Sequence, residues 1–312
     1  MSLSIPSYIV RWSARPAAII CALLLVLFAA GCSAVRLGYN TAPTLAYWWL
    51  DGYFDFDGEQ SLRIRADLQA VQDWHRKEEL PQLIQTLKEL QAMTPKPVTP
   101  TQVCTTVISL QTRVQVTLDR VVPSIAAIAP SLQTAQIDHI ARQFEKREKK
   151  WRGDWLEGTP TERAERRVKQ IVDRAESLYG TLEPSQIGII KAHIQSSSFD
   201  GPRNHREMQR RQKDALQVLG TLRTAKPAPA QAVADIRGLL ERTFKAPDPA
   251  YRQYIDRLTQ ESCAATAAVH NSSTNAQRAH LMQALQDYEA DARELAGQSP
   301  QVPSTQAASP TL

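Results

Sequence analysis

The 312-residue chain has 37 Lys and Arg against 32 Asp and Glu, 43% hydrophobic residues and only 12 Gly. This length is enough for one large or two modest domains, and the apolar content predicts a packed core. The formal net charge of +5 is too small to indicate a nucleic-acid-binding protein. Ala, Leu, Gln and Arg recur along the chain and favour helices, because their side chains lose little entropy there.

The N-terminal residues have the features of a bacterial lipoprotein signal peptide. Arg11 and Arg15 precede an apolar stretch, residues 17–31, that is short for a membrane span. The small residues directly before Cys32 resemble a lipobox, although Ala29 stands where Leu is usual. The sequence therefore predicts cleavage before Cys32 and lipidation of that cysteine, with palmitate among the acyl chains. An ordinary secretory signal and an uncleaved N-terminal anchor are the alternatives.

The predicted lipid determines the expected location and domain organisation. Lipidation with more than one acyl chain is enough for stable membrane anchoring. Ser33 follows the cysteine, and a residue other than Asp there resembles the outer-membrane sorting signal of enteric bacteria. We expect a lipid-anchored protein on the periplasmic face of the outer membrane, where nucleic acid is excluded as a partner. The expected segments are a signal peptide (1–31), a lipid-anchored segment (32–58), a helical periplasmic domain (59–296) and a disordered tail (297–312).

Apolar spacing predicts helices along the mature chain, and no segment of alternating β-branched residues competes with them. Asn40 and Pro43 disfavour a helix, so residues 33–47 are expected to be extended. Breaks are expected at Pro123 and Pro130. The predicted fold is all-α, a multi-helix bundle of about eight to ten helices after the signal peptide. The clearest helical pattern is an apolar stripe with spacings of three and four residues, formed by Val103, Val107, Leu110, Val114, Leu118 and Val121.

The cysteines predict one disulfide. Cys21 lies in the signal peptide and Cys32 is the predicted lipid site, which leaves Cys104 and Cys263 in an oxidising compartment. A bond between them would close a loop of roughly 160 residues and contribute on the order of 4 to 5 kcal/mol in the chain-entropy model. Two separately buried thiols are the alternative, because both residues lie in helix-like segments.

No motif in the sequence indicates a metal site, a cofactor or catalysis. The His residues are scattered, without the H-x-x-x-H spacing of a helical metal site. DFDGEQ (residues 55–60) suggests a calcium loop. Aligning Gly58 with the sixth loop position, however, puts Tyr53 at the first and Ile64 at the twelfth, where carboxylates are needed. G-x-S-x-G and Gly-rich phosphate loops are absent. We therefore expect a non-enzymatic protein without catalytic residues, metal or cofactor.

The stretch WWLDGYFDFDGEQ (residues 48–60) concentrates aromatic and acidic residues shortly after the predicted lipid. Trp48, Trp49, Tyr53 and Phe54 are candidate interaction residues. These rings could rest at a membrane interface or pack the base of the bundle. Burial is the favoured interpretation, because the neighbouring acids would be repelled by an anionic headgroup layer.

Four segments together resemble a family of uncharacterised proteobacterial lipoproteins. They are WWLDGYFDFDGEQ, WHRKEELP (residues 74–81), YGTLEPSQ (179–186) and RRQKDALQVL (210–219). The resemblance extends to about residue 295 of the mature chain. It implies an envelope lipoprotein without an assigned activity, so it supplies no catalytic residues.

LQTAQI (residues 132–137) and LEPSQI (182–187) are similar to the LTxxQ motif of small periplasmic helical chaperones and stress sensors. The Leu and Gln positions match, while Gln133 and Glu183 replace the Thr. The resemblance implies that each motif opens a helix and that the protein holds unfolded clients. The leading interpretation remains a tethered, non-enzymatic lipoprotein that binds an envelope protein or other component, and a holdase-like chaperone is the alternative.

Overall fold

The computed structural model describes residues 34–297. Contacts divide the chain into two units, Met1–Asn40 and Thr41–Leu312, and only residues 34–40 of the first unit are described. The described residues form helices and no strands, so the predicted all-α fold is confirmed. None of the described helices is both long and apolar enough to cross a membrane.

The helices follow one another with short connections. A π-helical turn, His75–Glu79, lies between α2 and α3, and a 3-10 turn, Ala129–Ser131, follows α4. The α-helices are α1 (Ala34–Phe54), α2 (Gly58–Trp74), α3 (Leu80–Met93), α4 (Pro100–Ile128), α5 (Thr134–Trp155), α6 (Pro160–Tyr179), α7 (Pro184–Ser196), α8 (Gly201–Ala225), α9 (Pro229–Phe244), α10 (Pro249–Asn271) and α11 (Asn275–Gly297).

Two expectations about proline are wrong. Residues 34–47 are helical rather than extended, because α1 runs through Pro43. Pro123 lies inside α4 and does not end it. A proline in a helix interior removes one hydrogen bond and costs roughly 3 kcal/mol. Around Pro123, the buried residues Val122 and Ala126 offset that cost by packing into the core.

The largest apolar core lies where α4, α5, α8 and α9 meet. α4 packs against α9 and α10, while α5 packs against α8, and α3 packs along α11. This arrangement leaves α4 with one side in the core and another along α10. The buried residues of the main core are Val122, Ala126, Ala129, Leu132, Ile140, Leu219, Leu222, Ala232 and Ile236.

Four helices begin with a buried glutamine at their third position. These residues are Gln60 in α2, Gln136 in α5, Gln186 in α7 and Gln277 in α11. Each Oε1 atom accepts a hydrogen bond from the backbone N–H of the residue before its own helix, at 2.7–3.1 Å. A glutamine at this position satisfies an N–H group that the helix leaves without a partner.

The four glutamines also form two reciprocal pairs. Gln136 Nε2 donates to Gln60 Oε1 at 2.7 Å, and the return bond measures 3.4 Å. Gln186 Nε2 donates to Gln277 Oε1 at 2.7 Å, with a return bond of 2.9 Å. Each pair therefore fixes two helix starts that are distant in the chain. The expectation that LQTAQI and LEPSQI open helices is confirmed, and capping together with pairing explains why each motif carries its glutamine.

Candidate functional site: an apolar groove beside the disulfide

A groove of about 1020 Å³ runs between α4 and α10, and the last residue of α9, Phe244, also lines it. Most of its surface is apolar, and amide and hydroxyl side chains contribute much of the remainder. Its lining residues are Pro100, Thr101, Cys104, Val107, Ile108, Leu110, Gln111, Val114, Gln115, Phe244, Ile255, Asp256, Thr259 and Gln260.

The predicted cysteine pair lies at this groove. Cys104 and Cys263 are joined, with their Sγ atoms 2.12 Å apart, so the sequence prediction of their pairing agrees with the structure. Cys104 lines the groove, and Cys263 is a buried residue of α10. A neighbouring cavity of about 270 Å³ is lined by Cys263 together with Val107 and Ile255, which also line the groove. The disulfide thus holds together the two helices that form the walls.

The groove exposes large apolar side chains. Ile108 is 58% exposed, Val114 54% and Phe244 53%, and Leu110 and Ile255 are also exposed. Leu110 and Val114 belong to the apolar stripe seen in the sequence, so that stripe is not a core face along its whole length. Contiguous exposed apolar surface of this kind marks interaction sites in soluble domains.

The polar groups of the groove are few and mostly uncharged. Among the described residues that line it, only Asp256 is charged. In residues 34–297, no three His, Cys, Asp or Glu side chains lie close enough together to hold a metal ion. The chemistry that these walls offer is apolar contact, with a few amide and hydroxyl groups available for orientation.

The candidate interaction residues after the predicted lipid do not share one environment. Trp48 is 59% exposed and Trp49 57%, so the expectation that these rings are buried is wrong for both. Tyr53 and Phe54 are half-buried, and Phe54 packs against the main core. Successive side chains of a helix point about 100° apart. Because Tyr47 points into the core, Trp48 and Trp49 point away from it. The predicted lipid site, Cys32, lies outside the described residues.

Tyr47 was missed by the sequence reasoning and anchors this part of α1. Its hydroxyl lies 3.0 Å from Ser61 Oγ, and the Arg65 guanidinium lies 3.4 Å from its ring centroid. Two of the nearby acids have structural roles: Asp51 accepts the Phe56 N–H at 3.1 Å, and Asp57 caps α2. Those acids therefore close the turn between α1 and α2.

The sequence model of a family of unknown function, DUF6279, matches residues 52–252. The chain belongs to the DUF6279 family. Searches of curated proteins and of solved structures found no match. The region matched by DUF6279 includes the α4 wall of the groove and Phe244, whereas Ile255 and Cys263 lie beyond its end.

Phe244 and Ile255 were not identified from the sequence as groove residues. Phe244 is the last residue of α9 and comes shortly before Pro247. The proline indicates in the sequence that a helix ends here, but it does not indicate the direction of the Phe244 side chain. Ile255 fits an apolar pattern within α10 that looks like an ordinary core face. Only the packing of α9 and α10 on α4 reveals that both side chains border an open groove.

Proposed function

We propose that this DUF6279 chain is a non-catalytic envelope lipoprotein, anchored through Cys32 to the outer membrane, whose helical domain binds another envelope protein. The apolar groove between α4 and α10 is the observation that carries the binding role. The apolar stretch 17–31 followed by Cys32 supports the anchor. The proposed occupant of the groove is an amphipathic helix of the partner.

The shape of the groove favours a helix over an extended peptide. Its walls are two helices, and the residues of α4 that line the groove recur at helical spacing from Val107 to Val114. Grooves of this type bind the apolar face of a third helix. An extended peptide commonly binds by adding a strand to the edge of a sheet. The described residues form no sheet and therefore offer no such edge.

The charge of the groove defines the partner further. Asp256 is the single charged side chain among the described lining residues, so strongly acidic or strongly basic segments gain little there. A partner helix with aliphatic residues at i, i+3, i+4 and i+7, flanked by uncharged polar residues, matches both the apolar walls and the Gln and Thr side chains that line the groove.

Photocrosslinking in cells tests this proposal directly. A photoreactive residue in place of Ile108 or Val114 of the full-length chain is expected to give one or two discrete adducts, which mass spectrometry then identifies. The matched control replaces Leu62, an exposed apolar residue of α2, and is expected to give none of these adducts. An adduct of the chain with itself would instead identify a second copy as the occupant. A smear of many envelope proteins would contradict the proposal and support a chaperone.

The Cys32→Ser variant tests the anchor separately. We expect it to lose metabolically incorporated palmitate and to leave the membrane fraction, because the acyl chains supply most of the membrane affinity. Ser33→Ala is the matched control and should remain labelled. Full palmitate labelling of the Cys32→Ser chain would overturn the assignment of the lipid site without affecting the groove.

A further inference from the structure

A second cavity, of about 660 Å³, opens between α5, α8 and α10 and differs from the groove in its chemistry. Aromatic rings and hydrogen-bonding side chains alternate around it. Trp151, Trp155 and Phe199 contribute rings, while Asn204, Glu207 and Arg211 contribute polar groups. Ligand sites commonly combine apolar walls with a small number of fixed polar groups in this way.

The aromatic rings are held in fixed orientations. Trp151 stacks on His205, with ring centroids 5.7 Å apart and planes 7° from parallel. The ring centroid of Trp155 lies 6.3 Å from that of Trp151 and 5.5 Å from that of Phe199. His205 is itself fixed by Glu148, whose Oε1 lies 2.8 Å from His205 Nε2. The cavity therefore presents a preformed aromatic wall, which lowers the entropic cost of binding.

The polar groups are equally well fixed. Burial works against a charged Glu207, but hydrogen bonds from Arg210 and Arg211 outweigh it and lower the pKa of this carboxyl. Arg211 Nε donates to Glu207 at 2.8 Å. Asn204 accepts a hydrogen bond from the Tyr251 hydroxyl at 2.9 Å. The cavity thus contains a negatively charged acceptor, a positively charged donor and a neutral amide. This combination suits a ligand with many hydroxyl or amide groups.

The aromatic wall continues into another cavity, of about 630 Å³. Trp155 and Phe199 line both cavities. At the 630 Å³ cavity, the Arg167 guanidinium lies 4.2 Å from the centroid of the Phe199 ring and donates to Ser197 Oγ at 3.1 Å. Asp200 lines the same cavity. Two chambers that share an aromatic wall accommodate an elongated ligand better than a compact one.

We propose that these two chambers bind an oligosaccharide, with sugar rings stacked on Trp151 and Trp155 and hydroxyl groups bonded by the polar side chains. Pyranose rings have apolar C–H faces and polar edges, which is the combination that the cavity offers. Charges of both signs line the two cavities, and they favour a neutral ligand rich in hydroxyl groups over a purely apolar one. The charged lining residues are Arg147, Asp154, Arg163, Arg167, Asp200, Glu207 and Arg211. This inference stands independently of the groove and of the anchor.

Titration of the full-length chain with chitotetraose and, separately, with maltotetraose tests the inference by isothermal calorimetry and saturation-transfer NMR. Saturable binding of either sugar is expected, and the preferred one separates a wall-type amino-sugar glycan from a glucan-type source. Trp151→Ala should weaken binding at least about tenfold, which corresponds to about 1.4 kcal/mol. Trp151→Phe, which keeps an aromatic ring, should retain most of the affinity.

Tyr288→Ala is the matched control, because Tyr288 is exposed on α11 and does not line either cavity. It should bind like the unmodified chain, and thermal melting of each variant verifies folding. Absence of saturable binding for both sugars up to millimolar concentration would overturn the inference. Equal affinity of the unmodified and Trp151→Ala chains, or competition by inorganic phosphate alone, would also overturn it.

Discussion

Replacing both Cys104 and Cys263 by Ala is expected to lower the free energy of unfolding by on the order of 4 to 5 kcal/mol. The bond joins residues 159 positions apart, and closing a loop of that length removes much of the conformational entropy of the unfolded chain. Urea denaturation of the oxidised chain and of the double variant measures the difference. Addition of a reductant should destabilise the unmodified chain by a similar amount and leave the double variant unchanged.

The disulfide also has an expected effect on binding, because it connects the two walls of the groove. Loss of the bond should weaken the crosslink formed from Val114 under conditions where the double variant remains folded. Gel mobility provides the direct check of the bond itself. Identical mobility of the unmodified chain with and without reductant, together with two titratable thiols, would contradict the pairing of Cys104 with Cys263.

The helices of this fold were largely predictable because their signals are local. Proline, glycine and capping residues mark where most helices begin and end, and those signals depend on neighbours in sequence. The cysteine pairing was predictable by elimination. The helix through Pro43 was not predictable, because tertiary contacts such as the burial of Tyr47 decide it.

The candidate site was harder to predict, because exposure depends on which helices become neighbours. Val114 and Val122 are both apolar residues of α4, yet one is exposed in the groove and the other is fully buried. The apolar stripe identified in the sequence contains the exposed Val114 and ends at Val121, so its spacing does not include the buried Val122. Trp151 and Trp155 are four residues apart and therefore share a helix face, but only α8 and α10 turn that face into a cavity.

The second large effect is expected from Gln186→Ala, which should lower the free energy of unfolding by about 3 kcal/mol. Gln186 is fully buried, caps Glu183 and donates to the Ser272 carbonyl at 3.1 Å and to Gln277 at 2.7 Å. Its removal leaves buried polar partners without hydrogen bonds, each at a cost of about 1 to 3 kcal/mol. Urea denaturation monitored by circular dichroism measures the loss.

Gln102→Ala is the matched control. Gln102 also occupies the third position of its helix and accepts the Thr99 N–H at 2.8 Å, but it is exposed, so its loss should cost only about 1 kcal/mol. If the Gln186–Gln277 pair acts as a unit, the Gln186→Ala/Gln277→Ala double variant should lose less than the sum of the single variants, with a coupling of about 1 to 2 kcal/mol. Strict additivity would mean that each glutamine acts only as a cap. A measured coupling would mean that the pair holds the starts of α7 and α11 together, a structural reason for the glutamine in LEPSQI that requires no client binding.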